Sequence, residues 1–166
     1  VIWPCMLMAL GLKLPKMVFG HGWWTVEGEK MSKSKGNVVD PLALSKEFGV
    51  DAVRYFLLRE VPFGADGDFS HRALVNKFNS DLANDLGNLL NRSLTMVEKY
   101  FDGKLQVPKK ADFDDLSADV VNLAKATSDI YSKHMDKLEF SEALATIWKL
   151  VNLANNYIEH EAPWKL

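Results

Sequence analysis

Three lysines and two serines occur within six consecutive positions of one short segment. They are Lys30, Ser32, Lys33, Ser34 and Lys35. Gly28 and Gly36 lie on either side of the segment and permit backbone dihedrals that a side chain disfavours. Ammonium and hydroxyl groups on such a loop suit the binding of a polyanion, for example a chain of phosphates. The alternative is a solvated basic turn, because runs of charge usually lie on the surface.

The order of the residues distinguishes these two interpretations. The string Lys30-Met31-Ser32-Lys33-Ser34 is identical to the KMSKS signature of class I aminoacyl-tRNA synthetases. The wider segment, residues 21–37, resembles methionyl-tRNA synthetases more than their leucyl, isoleucyl, valyl or cysteinyl relatives. Two later segments, Asn88-Leu89-Leu90-Asn91-Arg92 and Ala162-Pro163-Trp164, resemble those with which methionyl enzymes read the tRNA anticodon. The resemblance spans essentially all 166 residues.

The resemblance implies a role for each of these segments. The expected ATP-binding loop consists of Lys30, Met31, Ser32, Lys33 and Ser34. Within it, Lys33 and Lys30 are the expected catalytic residues, because ammonium groups can stabilise the departing pyrophosphate. The expected anticodon-binding residues are Asn88, Arg92 and Trp164. The implied partners are methionine, tRNA(Met) and ATP with Mg²⁺ as a substrate complex, and the parent protein is expected to be a cytoplasmic methionine-tRNA ligase.

The chain departs from the family pattern in one respect. The second class I signature, His-Ile-Gly-His or a close variant, does not occur in the sequence. The resemblance therefore implies the carboxyl half of a catalytic domain, with the methionine pocket mostly outside this chain. Residues 1–166 in isolation are expected to be inactive in methionine activation. Two alternatives stay open, namely another class I synthetase and a non-catalytic helical module that binds tRNA.

Composition excludes several classes of protein. With 48% hydrophobic and 25% charged residues, the sequence is typical of a globular protein. The formal net charge of −2 argues against a generally basic nucleic-acid binder, so any tRNA affinity must come from local patches.

Cys5 is the only cysteine and is expected to be a buried thiol, and no metal site is expected because zinc-ligand spacing is absent. The apolar opening is shorter than the roughly 20 residues that a membrane span needs, so no membrane partner is expected.

Residues 1–69 are predicted to form the end of a Rossmann-type α/β catalytic domain, including the loop and the stem-contact region that follows it. Residues 6–10 are expected to be helical core, and residues 17–19 a buried parallel strand. Asp40 before a proline predicts a helix start, Gly49 its end, and Asp51 the cap of the next helix. Asp66 and Asp68, near the predicted domain boundary, are paired acids without the remaining ligands of a calcium loop.

Residues 70–166 are predicted to form an anticodon-binding α-helical bundle that is incomplete in this chain. Between residues 70 and 100, apolar positions recur every three or four residues, and a polar stripe with Asp81, Asn88 and Arg92 runs opposite. Asn88 and Arg92 are therefore expected to be exposed, one turn apart. Pro163 displaces the residue before it from helical geometry, which places Trp164 just past a helix end. The predicted fold is mainly α.

Overall fold

The computed structural model describes residues 1–105 and 114–165, so the connector expected through Pro108 lies partly outside the described residues. The helices are α1 (Ile2–Ala9), α2 (Pro41–Phe48), α3 (Val50–Arg59), α4 (His71–Lys77), α5 (Asn88–Phe101), α6 (Asp115–Asp136) and α7 (Phe140–Glu161). The strands are β1 (Trp24–Val26), β2 (Glu29–Lys30) and β3 (Gly67–Phe69). A π-helical segment (Phe78–Gly87) joins α4 to α5, and a 3₁₀ turn (Pro163–Lys165) follows α7. The mainly helical fold class is confirmed, while the division into residues 1–69 and 70–166 stays a prediction.

The three strands form one small sheet in the order β2-β1-β3. β1 and β2 are an antiparallel hairpin, and β3 pairs with β1 in parallel, with Thr25 opposite Asp68. The prediction of a buried strand at residues 17–19 is wrong, because these residues lie in exposed irregular backbone. An apolar run becomes a strand only where a neighbouring strand accepts its hydrogen bonds, and sequence alone does not identify that neighbour.

The core of the first part lies between the sheet and α3. Phe56 of α3, Phe69 of β3 and Leu74 of α4 are buried together, and Trp24 and Met31 pack against them. The rings of Phe56 and Phe69 meet edge to face at a centroid distance of 5.8 Å. These aromatic contacts fix β3 against α3 by apolar burial, the main favourable contribution to packing.

The helix boundaries next to this core follow the local signals in part. Asp40 accepts a hydrogen bond from the Leu42 amide at 2.9 Å and so caps α2, as predicted. Gly49 ends α2 with a φ of 85°, a value that favours glycine. Gly49 also precedes α3 directly, so the prediction that Asp51 caps α3 is wrong, and Asp51 lies inside the first turn.

The second part is organised around two long helices. α6 and α7 each contain 22 residues and pack along each other. Asp114 caps α6 by accepting a hydrogen bond from the Ser117 amide at 2.7 Å. α7 also contacts α3 and the π-helical segment, and its buried Trp148 packs on Tyr55 with ring centroids 4.6 Å apart and the rings tilted by 34°. This contact joins the helical part to the part that carries the sheet.

The amino-terminal helix differs from its prediction. Residues 6–10 are largely exposed, Cys5 is exposed as well, and the predictions of a core helix and a buried thiol are therefore wrong for the described chain. An apolar helix becomes core only where another apolar surface covers it, and periodicity does not supply that surface. No helix in the described residues is both long enough and apolar enough to cross a membrane.

The π-helical segment changes which faces of the long helix are buried. Asp81, predicted to lie on the exposed polar stripe, is buried, whereas Leu86, one of the recurring apolar positions predicted between residues 70 and 100 to face the core, is 41% exposed. A π-helical turn contains more residues than an α-helical turn, so the faces downstream rotate relative to a regular helix. The polar stripe predicted with a constant helical period is therefore wrong at Asp81, which is buried and not exposed.

Candidate functional site

The basic loop follows a tight β-hairpin. β1 and β2 are joined by Glu27 and Gly28, whose φ values of 53° and 76° are both positive. Two-residue hairpin turns of this kind match the twist of the strands, and glycine adopts them without steric cost. The turn therefore determines how β2 leaves β1, and the loop follows directly after β2.

Two aspartates, one just before β3 and one within it, hold the start of β1 and the hairpin turn. Asp68 accepts hydrogen bonds through Oδ1 from the Thr25 hydroxyl at 2.5 Å and from the Gly28 amide at 2.8 Å. Asp66 accepts a hydrogen bond from the Trp23 amide at 2.7 Å. The Thr25 hydroxyl, and then the Gly28 amide, lower the pKa of Asp68 below its ordinary value. Both paired acids therefore have structural partners within the sheet.

The loop itself is ordered by one apolar anchor and one amide. Met31 packs against the buried cluster that includes Phe56 and Phe69. Asn37 accepts a hydrogen bond from the Ser32 amide at 2.8 Å and donates one to the Lys30 carbonyl at 3.3 Å. The hydroxyls of Ser32 and Ser34 are 2.7 Å apart. The hydrogen bonds of Asn37 thus hold the two ends of the loop together, and the tip of the loop is exposed to solvent.

The three lysines of the loop have different surroundings. The Lys30 ammonium lies over the Trp23 ring, 4.2 Å from its centroid. The Lys35 ammonium forms an ion pair with Glu29 at 2.9 Å. Lys33 is exposed and forms no ion pair within residues 1–105 and 114–165. Lys33 is therefore the loop lysine whose charge is directly available to an anion.

The expected anticodon residues of α5 lie beside α7. Asn88 is exposed, as predicted, but Arg92 is only partly exposed. The Arg92 guanidinium donates to the Glu159 carboxylate and, at 2.6 Å, to the Asn155 side chain. The prediction of a freely exposed Arg92 is corrected accordingly, because α7 supplies partners that the periodicity of α5 could not indicate.

Asn88 and Arg92 line one polar groove between the two helices. Its volume of about 760 Å³ lies within the range of small-molecule pockets. The groove is lined by Asn84, Asp85, Asn88, Arg92, Asn152, Asn155 and Asn156. Amide side chains both donate and accept hydrogen bonds, so this surface can pair with the edges of unstacked bases.

Trp164 lies past the end of α7, as its prediction required. Ala162 ends the helix with a φ of 39°, and Trp164 follows in the 3₁₀ turn with 47% of its surface exposed. The indole ring is accessible for stacking on a planar group. Trp164 is not among the described residues that line the polar groove, so the structure brings Asn88 and Arg92 together in this groove but does not bring Trp164 into it.

Comparison with known proteins gives the family. Residues 1–94 match the model of the family described as tRNA synthetases class I (M). The methionine–tRNA ligase of Caldanaerobacter subterraneus subsp. tengcongensis is 63% identical to this chain over 166 residues, which are 100% of the chain and 26% of that protein. The chain belongs to the methionyl-tRNA synthetase family.

Further relatives agree with this assignment. The Clostridium perfringens methionine–tRNA ligase is 56% identical over 167 residues, which cover 100% of the chain and 25% of that protein. A Mycobacterium tuberculosis methionyl-tRNA synthetase solved with methionyl-adenylate superposes with a TM-score of 0.90 at 48% identity, covering 99% of this chain and 32% of that one. The chain thus spans about a quarter of the length of the curated methionyl-tRNA synthetases that it matches.

Several residues around the family signature were missed by sequence reasoning. Asn37 follows the signature directly, and its position after a glycine-flanked loop could have indicated a loop-closing amide. Asp68 was noticed as an acid, but its partner Gly28 lies 40 residues earlier in the chain. Asn155 and Glu159 gave no signal, because their partner Arg92 is more than 60 residues away.

A cluster of possible metal ligands lies at the start of α6 and the end of α7. The ligand atoms of Asp114, His160 and Glu161 lie within 4.8 Å of one another, and all three residues are exposed. Exposed acidic groups are common without a metal, and the Asp114 carboxylate already caps α6. This cluster therefore does not identify a metal centre.

Proposed function

We propose that this chain supplies the phosphate-binding lysine loop and the anticodon-binding surface of a methionine-tRNA ligase. In the proposed reaction the carboxylate of methionine attacks the α-phosphate of ATP and pyrophosphate leaves. A hydroxyl of tRNA(Met) then attacks the carbonyl of methionyl-adenylate, the acyl–phosphate bond breaks, and AMP leaves. Mg²⁺ accompanies ATP as part of the substrate. The reaction needs positioning and charge stabilisation by the protein rather than a protein nucleophile.

The observation that carries this proposal is the exposed ammonium of Lys33 at the tip of an otherwise tethered loop. Pyrophosphate accumulates negative charge as it leaves, so a cation that approaches it in the transition state lowers the barrier selectively. Lys33 can approach without breaking any ion pair among the residues that the structure describes. Its flexible stem can follow a phosphate that moves during the reaction.

Lys30 can assist after a small rearrangement. A cation–π contact at an exposed site contributes about 0.5 to 1 kcal/mol, so Lys30 can leave Trp23 at low cost. An exposed ion pair such as that of Lys35 with Glu29 contributes a similar or smaller amount. Lys35 also lies outside the signature, and we assign catalysis to Lys33 and Lys30.

The proposal is tested by replacing single lysines in the complete gene product that contains this chain. Lys33→Ala should raise the activation barrier by about 2 to 4 kcal/mol, the range for removal of one preorganised electrostatic group. The measurement is the turnover of methionine-dependent ATP–pyrophosphate exchange, with Lys35→Ala as the matched control that removes a paired lysine. A change confined to the Michaelis constant for methionine, with turnover preserved, would refute the phosphate role.

The polar groove and Trp164 support anticodon recognition. Sequence-specific proteins read unpaired RNA bases by stacking them on aromatic rings and by hydrogen bonding to their edges. Trp164 offers an exposed ring, and Asn88 and Arg92 offer an amide and a guanidinium in one groove. To bind RNA, Arg92 must partly release Glu159. Breaking this ion pair costs little free energy, because the Glu159 side chain is 61% exposed. A cytoplasmic location stays a prediction.

A further inference from the structure

We propose that Asp68 is a positioning residue for the lysine loop, fixing the hairpin turn from which the loop is presented. This inference rests on the proposed function of the loop. Asp68 touches none of the three loop lysines within hydrogen-bonding distance in the described residues, so its effect must pass through the backbone. The point of action is the Gly28 amide, two residues before Lys30.

The backbone of Asp68 is rigidly held, which makes its carboxylate a fixed anchor. Gly67 and Phe69 on either side are both buried, so the alternation of the strand directs Asp68 outwards. The Gly67 amide donates to the Trp23 carbonyl at 2.8 Å, and a Cβ at Gly67 would meet the Val61 side chain at 2.5 Å. β3 therefore cannot shift without disturbing the packing around it.

The turn and β2, in contrast, are exposed throughout. β2 contains two residues, lies at the edge of the sheet and pairs only with β1 among the described strands. The bonds from one Asp68 oxygen to Thr25 and Gly28 connect β1 and the turn to the anchored β3. Because hydrogen bonds to an ionised acceptor are stronger than neutral ones, this connection restricts the direction in which β2 delivers Lys30 and the loop.

The sign of the expected effect separates positioning from simple electrostatics. Asp68 carries a negative charge near a loop that is proposed to bind phosphates. If only charge mattered, its removal would favour ATP and speed activation. If Asp68 positions the loop, its removal slows activation although the local charge becomes more favourable. Misplacement of a reacting group by about 1 Å can lower a rate by about 100-fold.

The test uses the complete gene product with Asp68→Ala, Asp68→Asn and the control Glu27→Gln. Glu27 is an exposed acid in the same turn, and its side chain forms no hydrogen bond or ion pair in the part of the chain described. We expect Asp68→Ala to lower exchange turnover by about 10- to 100-fold, with the Michaelis constant for methionine changed less than about twofold. Asp68→Asn keeps an acceptor oxygen and should recover part of the loss, and Glu27→Gln should behave like the unmodified protein.

A combined variant distinguishes positioning from a loss of folding. In a background that carries both Lys30→Ala and Lys33→Ala, Asp68→Ala should lower turnover by less than about threefold, because both lysines through which it acts are gone and the effects are not additive. Unchanged or increased turnover in Asp68→Ala, or an equal loss with and without Lys30 and Lys33, would overturn the inference. If Lys33→Ala itself leaves turnover unchanged, the proposed function of the loop fails instead. Asp68→Asn keeps the test decisive where the alanine variant does not fold.

Discussion

Tyr55→Phe tests how the part of the chain that carries the lysine loop is held to the helix that carries Asn88 and Arg92. The Tyr55 hydroxyl donates to the buried carboxylate of Asp81 at 2.6 Å, and Asp81 also accepts from the Ser80 hydroxyl at 2.6 Å. Burial, and then the hydrogen bond to Asp81, raise the pKa of Tyr55 well above its ordinary value, so the hydroxyl keeps its proton. This pair joins α3 to the π-helical segment.

The magnitude follows from what each replacement leaves behind. A hydrogen bond to a charged group contributes about 1.5 to 3 kcal/mol. After Tyr55→Phe, Asp81 keeps its hydrogen bond from the Ser80 hydroxyl and lies 3.8 Å from the Lys77 ammonium. We therefore expect the free energy of local unfolding to fall by about 1 to 2 kcal/mol. Asp81→Ala leaves the half-buried Tyr55 hydroxyl without its acceptor and should cost about 2 to 3 kcal/mol. The double variant should cost little more than Asp81→Ala alone, which gives a coupling energy of about 1 to 2 kcal/mol.

Hydrogen exchange of peptides from α3 and the π-helical segment measures these local free energies in the complete gene product. Asp129→Ala, at an exposed position in the middle of α6, is the control and should change stability by less than about 0.5 kcal/mol. Methionine-dependent pyrophosphate exchange should be less affected than tRNA charging, because the junction lies between the two proposed sites. Additivity of Tyr55→Phe and Asp81→Ala within about 0.5 kcal/mol would refute the coupling.

Two further outcomes are expected from the proposed function. Trp164→Ala should weaken charging of tRNA with a CAU anticodon by about 1 to 3 kcal/mol, the scale of one base–aromatic stack, and should leave tRNA-independent exchange unchanged. If Trp164→Ala, Asn88→Ala and Arg92→Ala all discriminate against a mutated anticodon as well as the unmodified protein does, the anticodon assignment is wrong. Purified residues 1–166 alone should not support ATP–pyrophosphate exchange, since the chain lacks the second class I signature, and robust exchange by this piece would contradict that expectation.

The sequence by itself determined the features that depend on a few consecutive residues. The order Lys30-Met31-Ser32-Lys33-Ser34 indicated the family, which the comparisons confirmed. Asp40 before Pro41 predicted the start of α2, and Pro163 predicted the helix end that leaves Trp164 exposed. Helix caps, turns and the fixed φ of proline depend on neighbouring residues in the sequence, so the helix ends that they produce can be predicted without knowledge of the tertiary contacts.

Tertiary structure decided everything that depends on a distant partner. The periodicity of α5 placed Arg92 on a polar face, but only the packing of α7 joined it to Glu159, 67 residues later. Asp68 was recognisable as an acid, and only the parallel pairing of β3 with β1 placed it on Gly28. Exposure of residues 6–10 and burial of Asp81 were likewise set by which surfaces meet. The sequence pattern of an element specifies which of its faces is apolar and which is polar. The partner of each face is selected only when the whole chain folds, because apolar burial and hydrogen bonding of the buried polar groups must be satisfied in the same structure.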